Sequence, residues 1–89
     1  MANTSKSITS SLVRTWMVDY LSTSLDLPSD FTTSMRFDSY GIDSVEAVIM
    51  AGVMELEFGI QMEPRYFFND PSIEGVITEL VKYQLITKE

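Results

Sequence analysis

A short segment near the middle of the chain joins a glycine-bearing turn to the start of a helix. It covers residues 41–46 and reads Gly-Ile-Asp-Ser-Val-Glu. Gly41 can adopt the positive φ that lets a chain reverse direction before a helix at little steric cost. Asp43 is predicted to be the N-cap residue, and Glu46, three residues later, would complete a capping box. The segment therefore predicts a helix that begins at Ser44.

The same pattern places the hydroxyl group of Ser44 beside the unpaired backbone N–H groups of a helix start. An anion attached to that oxygen would meet these donors and the positive end of the helix dipole. A phosphate ester on Ser44 is therefore one interpretation of the pattern. The other is plain helix initiation, because capping boxes are common and need no further role. The surrounding sequence decides between the two.

Four segments, in order and without an obvious insertion, resemble acyl and peptidyl carrier proteins. Residues 41–45, with Phe37 ahead of them, resemble the cofactor attachment motif of that family. Residues 13–18 resemble the family's first helix. Residues 45–60 resemble its second helix, which ends in Phe-Gly-Ile, and residues 67–73 resemble the junction before its last helix. The match spans residues 12–85, and the pattern is closest to that of polyketide-synthase carriers.

The resemblance implies that Ser44 carries 4′-phosphopantetheine, transferred from coenzyme A, and that Gly41 and Asp43 support the attachment site. It implies an acyl carrier protein, which holds acyl, polyketide or aminoacyl intermediates as thioesters on that arm. The implied partners are a phosphopantetheinyl transferase, an acyl-activating or loading enzyme, and ketosynthase or condensation-type enzymes. The chain itself would be a non-catalytic carrier and a substrate of these enzymes.

Apolar spacing and terminal residues predict four helices and no strand. The first helix is expected to start near residues 7–11 and to stop before Pro28. The second is expected to run from residue 44 to residue 58, with Gly59 as its C-terminal stop.

Two further helices are expected toward the C-terminus. Pro64 fits the first position of a short third helix that ends at Phe68, and Ser72 is predicted to cap the fourth helix. The resemblance implies the same fold class. It is an all-α, small four-helix bundle of the acyl-carrier type, with three longer helices, one short helix, and a long loop between helices one and two.

The long loop covers residues 26–40 and is rich in Ser, Thr and Asp. Its apolar residues are predicted to hold it against the core; they are Leu27, Phe31, Met35 and Phe37. The predicted domain organisation is a flexible N-terminal tail (1–11), a carrier domain (12–86) and a C-terminal tail (87–89).

The second predicted helix is apolar on two opposite faces. At about 100° per residue, one face carries Ala47, Met50, Ala51, Met54 and Phe58, and the other carries Val45, Val48, Ile49, Gly52 and Leu56. A small domain rarely buries a helix on all sides, so one face should serve something other than the core. The resemblance assigns the methionine face to the interior. It assigns to partners a surface formed by Val45, Glu46, Val48, Ile49, Gly52 and Leu56.

Composition excludes several functional classes. The net charge is −7, and residues 37–64 contain six acidic residues and no Lys or Arg. This acidity argues against nucleic acid and anionic membranes as partners, and it favours docking to basic surfaces of proteins. The chain has no Cys and no His. We therefore predict no metal site, and an enzyme with Ser44 as its nucleophile would lack its usual base.

The sequence also bears on localisation. No apolar run approaches the roughly 20 residues of a membrane-spanning helix. The N-terminal residues are polar and lack the apolar region of a secretory signal. We therefore expect a cytoplasmic protein. We also expect it to be a monomer.

Two alternatives remain to this interpretation. Carriers of ordinary fatty acid synthesis tend to have further acids where this chain has Ile49, Gly52 and Leu56, so the residues favour a polyketide, nonribosomal peptide or lipopeptide pathway. The first alternative is a carrier of primary fatty acid synthesis. The second is an unmodified, carrier-like helical module for protein interaction. The intact segment 41–45 favours modification, since a degenerate module would have no reason to keep the serine.

Overall fold

The computed structural model describes residues 8–89, which fold into three α-helices and two short 3₁₀ helices. The helices are α1 (Ser10–Ser24), α2 (Ser44–Phe58) and α3 (Ile73–Lys82), and the 3₁₀ helices are Phe37–Tyr40 and Pro64–Phe67. Among these residues there is no strand, and every helix is too short or too polar to cross a lipid bilayer. The predicted all-α fold, with its short third helix and its long loop after the first helix, is confirmed. The short third helix is a 3₁₀ helix.

Each α-helix begins after a residue whose side chain accepts a hydrogen bond from the backbone. Thr9 caps α1, Asp43 caps α2 and Ser72 caps α3. Such a bond satisfies one of the four N–H groups that a helix start leaves without intrahelical partners. The predicted caps at Asp43 and Ser72 are confirmed. So is the end of α2, where Gly59 has a φ of 68°.

The core forms where α1, α2 and α3 meet. Its fully buried side chains include Val13, Met17 and Leu21 from α1, Met50 and Met54 from α2, and Ile73, Val76 and Leu80 from α3. Phe37 and Phe67, one from each 3₁₀ helix, stack at the edge of this core with ring centroids 6.0 Å apart. Burying a side chain of this size stabilises the fold by about 1.5–3 kcal/mol. The two 3₁₀ helices are therefore fixed to the core by their aromatic residues.

The two predicted faces of α2 differ in burial as expected. Ala47, Met50, Ala51 and Met54 are buried, whereas Val45, Val48, Ile49 and Leu56 are exposed. Phe58 is half-buried and meets the ring of Trp16 edge to face, with centroids 5.6 Å apart. One face of α2 thus faces the core, and an apolar face is left outside it.

The long loop is held in place by an ion pair as well as by apolar contacts. Arg14 of α1 binds Glu74 of α3 through two hydrogen bonds, of 2.7 and 3.0 Å. Thr33 of the loop donates its hydroxyl to the same carboxylate, and its carbonyl oxygen accepts the N–H of Glu74 at 3.1 Å. The hydrogen bond from Arg14 lowers the pKa of Glu74. Burial acts in the opposite direction and raises this pKa, whereas the hydrogen bond from Thr33 lowers it further. The middle of the loop is therefore fixed to α1 and α3.

The two ends of the described chain are hydrogen-bonded to each other. The N–H of Ser10 donates to Thr87 at 2.7 Å, and the N–H of Thr87 donates to Ile8 at 2.9 Å. The hydroxyl of Ser10 also bonds both backbone groups of Glu89. These bonds lie in the segments predicted as tails, beyond the boundaries at 12 and 86, so we propose that the folded unit extends over residues 8–89. Residues 1–7 of the predicted N-terminal tail lie outside the described residues.

Two substitutions test the orientation of α2. Met54 is fully buried and Ile49 is 51% exposed. Met54→Glu should unfold the protein or leave it molten, because burying an unpaired carboxylate costs several kcal/mol. That cost is comparable to the stability of a small domain, about 5–15 kcal/mol. Ile49→Glu should fold normally, because its charge stays in water. Urea unfolding followed by circular dichroism measures both; an unfolded Ile49→Glu beside a folded Met54→Glu would show that the assigned faces are reversed.

Candidate functional site

Ser44 is the first residue of α2, and its side chain is exposed. The preceding chain is anchored by Ile42, which is buried and donates its backbone N–H to Phe37 at 3.0 Å. Phe37 is itself buried in the core. The hydroxyl of Ser44 therefore stands on the surface, two residues from a buried anchor.

Gly41 makes the turn that leads into α2. Its φ is 98°, and it ends the 3₁₀ helix Phe37–Tyr40 by donating its N–H to Phe37. A Cβ atom built at this position would meet no other atom within 4 Å. The turn therefore requires glycine for its backbone conformation and not for space. The predicted role of Gly41 in the turn is confirmed.

Asp43 orients the first turn of α2. Its carboxylate accepts the N–H of Glu46 at 2.9 Å, and its carbonyl oxygen accepts the N–H of Ala47 at 3.0 Å. Among the described hydrogen bonds, however, none is donated by the N–H of Asp43 to the side chain of Glu46. The predicted capping box is therefore only half formed, because the exposed carboxylate of Glu46 stays in solvent.

A groove of about 280 Å³ lies beside Ser44. The start of α2, the first 3₁₀ helix and the junction before α3 form its walls; the lining residues are Arg36, Phe37, Asp38, Ile42, Asp43, Ser44, Ala47, Phe67, Phe68 and Pro71. The N–H of Phe37 donates to Pro71 at 2.7 Å, which ties two of the walls together. The groove has a mainly apolar floor and charged residues at its rim.

The electrostatic environment of Ser44 is acidic. Asp38 and Asp43 line the groove with it, and Glu46 follows in the first turn of α2. Tyr40, just before the turn, is neutral at neutral pH as tyrosine ordinarily is, and burial raises the pKa of its hydroxyl group further, to about 12. Among the described residues, no group of three or more carboxylate, His or Cys side chains is placed to hold a metal ion.

The predicted partner surface lies on α2 next to this groove. All of its members are exposed: Val45, Glu46, Val48, Ile49, Gly52 and Leu56. Leu56, at the far end of the helix, is 88% exposed. The structure thus places Ser44 at one end of an apolar strip that follows α2.

Two residues of the site were missed by sequence analysis. Phe68 is 52% exposed and lines the groove from the junction before α3, and Arg36 lines it from the end of the long loop. Neither residue is close to Ser44 in the sequence. The sequence carried no signal for either residue, because the exposure of Phe68 and the place of Arg36 at the groove both result from tertiary packing.

A second depression, of about 390 Å³, lies between α1, α3 and the C-terminal residues. Its central charged groups are Arg14 and Glu74, which are paired with each other. It contains none of the residues that line the Ser44 groove. The Ser44 groove is therefore the better candidate site.

Comparisons with known proteins show the family and the fold of the chain. A family model described as a phosphopantetheine attachment site matches residues 15–80. The fold is similar to the solution structure of Asl1650, an acyl carrier protein from Anabaena sp. PCC 7120 with a variant phosphopantetheinylation-site sequence. The TM-score is 0.72 and the sequence identity 26%, over 92% of this chain and 98% of that chain. No curated protein sequence gives a significant match.

The cap at Asp43 can be tested with a matched pair of substitutions. Asp43→Ala removes the acceptor for the N–H of Glu46 and should lower the free energy of unfolding by about 1 kcal/mol. Asp43→Asn keeps an acceptor of similar capping strength and should cost much less. Urea unfolding of the three proteins gives the comparison. Equal stability of Asp43→Ala and the parent would mean that the side chain is merely solvated.

Proposed function

The chain belongs to the family of proteins with a phosphopantetheine attachment site, and we propose that it is an acyl carrier protein whose cofactor is attached to Ser44. The observation that carries the proposal is the position of the Ser44 hydroxyl. It is exposed at the first residue of a capped α-helix and borders a groove with an apolar floor. Among the described serines, Ser44 alone combines a turn glycine, a capping aspartate and a helix start.

The residues around Ser44 fit a phosphodiester. The first N–H groups of α2 point toward the start of the helix and have no intrahelical partners. One of them, the N–H of Glu46, is satisfied by the carboxylate of Asp43. The positive end of the helix dipole favours a negative charge at the same place. The rigid anchor at Ile42 and the turn at Gly41 hold this attachment point away from the core.

The composition of the chain indicates which chemical groups the cofactor supplies and which the protein supplies. Phosphopantetheine, when bound, supplies the thiol on which an acyl or aminoacyl group is held as a thioester. The chain has no Cys and no His, so its own side chains offer no thiolate and no imidazole base. Its residues present the attachment point and a surface for partners, and the carrier is a non-catalytic substrate of other enzymes.

The exposed face of α2 is the proposed docking surface for these enzymes. Its apolar strip is accompanied by Glu46 and Glu57, which would attract basic surfaces and speed association. The proposed partners are a phosphopantetheinyl transferase, an acyl-activating or loading enzyme, and ketosynthase or condensation-type enzymes. Apolar contact at the centre with charges at the rim is a common arrangement in protein interfaces.

We place the protein in a polyketide, nonribosomal peptide or lipopeptide pathway, as a cytoplasmic monomer. The exposed apolar residues Ile49 and Leu56 support this placement over primary fatty acid synthesis, where carriers tend to be more acidic on this face. An unmodified interaction module is the competing function, since the α2 surface exists with or without the arm. The modification itself distinguishes the two.

Incubation with coenzyme A, Mg²⁺ and a broad-specificity phosphopantetheinyl transferase should add one phosphopantetheine unit, measured by intact mass. Ser44→Ala should abolish the gain and leave the helical circular dichroism unchanged, because its side chain is exposed. Ser39→Ala is the matched control: Ser39 is also exposed, lies five residues away, and should leave the gain intact. Addition at another serine, or no addition with several transferases, would contradict the proposal.

A second experiment tests the docking surface. Ile49→Glu should lower the kcat/KM with which the cognate loading enzyme acylates the holo protein, because it puts a charge into an apolar contact. Thr15→Glu adds the same charge to an exposed position of α1 and should have little effect. Equal loading of the two variants would show that this face of α2 does not contact the loading enzyme.

A further inference from the structure

Arg36 is the single cationic residue among those that line the groove beside Ser44. Its backbone is firmly placed: it forms a β-bridge with Ser72, and its carbonyl oxygen accepts both the N–H and the hydroxyl of Ser39, at 3.0 and 2.7 Å. Its side chain, by contrast, is 62% exposed. Arg36 therefore combines a fixed origin at the groove with a guanidinium group that can reorient.

The present partner of this guanidinium group is weakly held. Its Nε and one terminal nitrogen donate to the carboxylate of Asp38, and both distances are 3.3 Å. Strong charge-assisted bonds are shorter, as in the pair of Arg14 with Glu74 at 2.7 Å. Exposed ion pairs contribute little to stability because water and salt screen them. Arg36 can therefore exchange Asp38 for another anion at small cost.

A phosphodiester on Ser44 would add a negative charge to a groove that already contains Asp38 and Asp43. The carboxylate of Asp43 is engaged with the start of α2, so it cannot move away from the new charge without losing the cap. A cation at the same rim offsets this repulsion. The planar fork of a guanidinium group suits two phosphate oxygens particularly well.

From these observations, and resting on the proposed attachment at Ser44, we propose that Arg36 binds the phosphodiester of the attached arm in place of Asp38. Arg36 is then a positioning residue. It restrains the direction in which the arm leaves Ser44, while the N–H groups at the start of α2 bind the same anion. Asp38 competes for the guanidinium group and keeps the restraint reversible.

Nuclear magnetic resonance of the apo and holo proteins tests this directly. The Nε–H resonance of Arg36 should move on modification, by several times the movement of Arg65. Arg65 is the matched control, because it is similarly exposed, at 60%, is paired with Glu63 at 3.0 Å, and does not line the groove. The ³¹P shift of the holo protein should change in Arg36→Gln, be partly restored in Arg36→Lys, and stay unchanged in Arg65→Gln. High salt should diminish the difference between the parent and Arg36→Gln.

Asp38→Asn gives an independent measurement, because it releases Arg36 without removing it. The displacement of the Arg36 resonance and of the ³¹P shift should then increase. If intact mass shows one phosphopantetheine on Ser44 while the Arg36 resonance does not move, or moves no more than that of Arg65, this inference is overturned and the proposed function stands. If no mass is gained at Ser44, both are overturned.

Discussion

Met50 and Met54 lie almost completely out of contact with water, and through them α2 packs a single face against the rest of the core. A domain of this size has too little interior to surround a helix on every side. Burial of the methionine face therefore leaves the face with Val48 and Ile49 exposed. The groove beside Ser44 and the apolar strip along α2 both depend on this orientation, because a rotation of α2 would bury the strip and move Ser44 away from the groove.

The position of Ser44 also depends on the order of the loop that precedes it. Phe37 and Ile42 are buried on either side of the turn at Gly41. Farther back, Thr33 is bonded to Glu74, which Arg14 binds from α1. Each of these contacts removes conformational freedom that a loop of this length would otherwise keep, at a cost in entropy of about 1–2 kcal/mol per ordered residue. The apolar burial and the ion pair together offset that cost and give α2 a defined start.

The proposed function separates the holding of a cofactor, which this chain would do, from the chemistry on its cargo. The hydroxyl of Ser44 stands at a helix start where partial positive charge accumulates, and Asp38 and Asp43 line the same groove. In the proposed function this site holds the phosphodiester, and the acidic surface around it favours association with basic surfaces of partners. In a family defined by a covalent arm, this arrangement supports the proposal that the chain presents the arm while partner enzymes act on the cargo. The proposed binding of its phosphodiester by Arg36, which lines the same groove, would restrain the direction of that arm.

The sequence by itself determined the local features: the helix N-caps at Asp43 and Ser72, the stop at Gly59, the positive φ of Gly41, and the two faces of α2. These depend on hydrogen bonds and spacings within a few residues, so the local pattern contains all the information that they need. Only the tertiary structure decided that the side chain of Glu46 does not close the capping box, that Arg36 and Phe68 line the groove with Ser44, and that Glu74 joins Arg14 to the loop. It also decided that Ser10 is bonded to Thr87 and Glu89. These contacts either join residues far apart in the chain or depend on whether a side chain prefers solvent. The packing of the core sets the contacts between distant residues, and no local pattern encodes it, whereas the exposed side chain of Glu46 is free to stay in solvent.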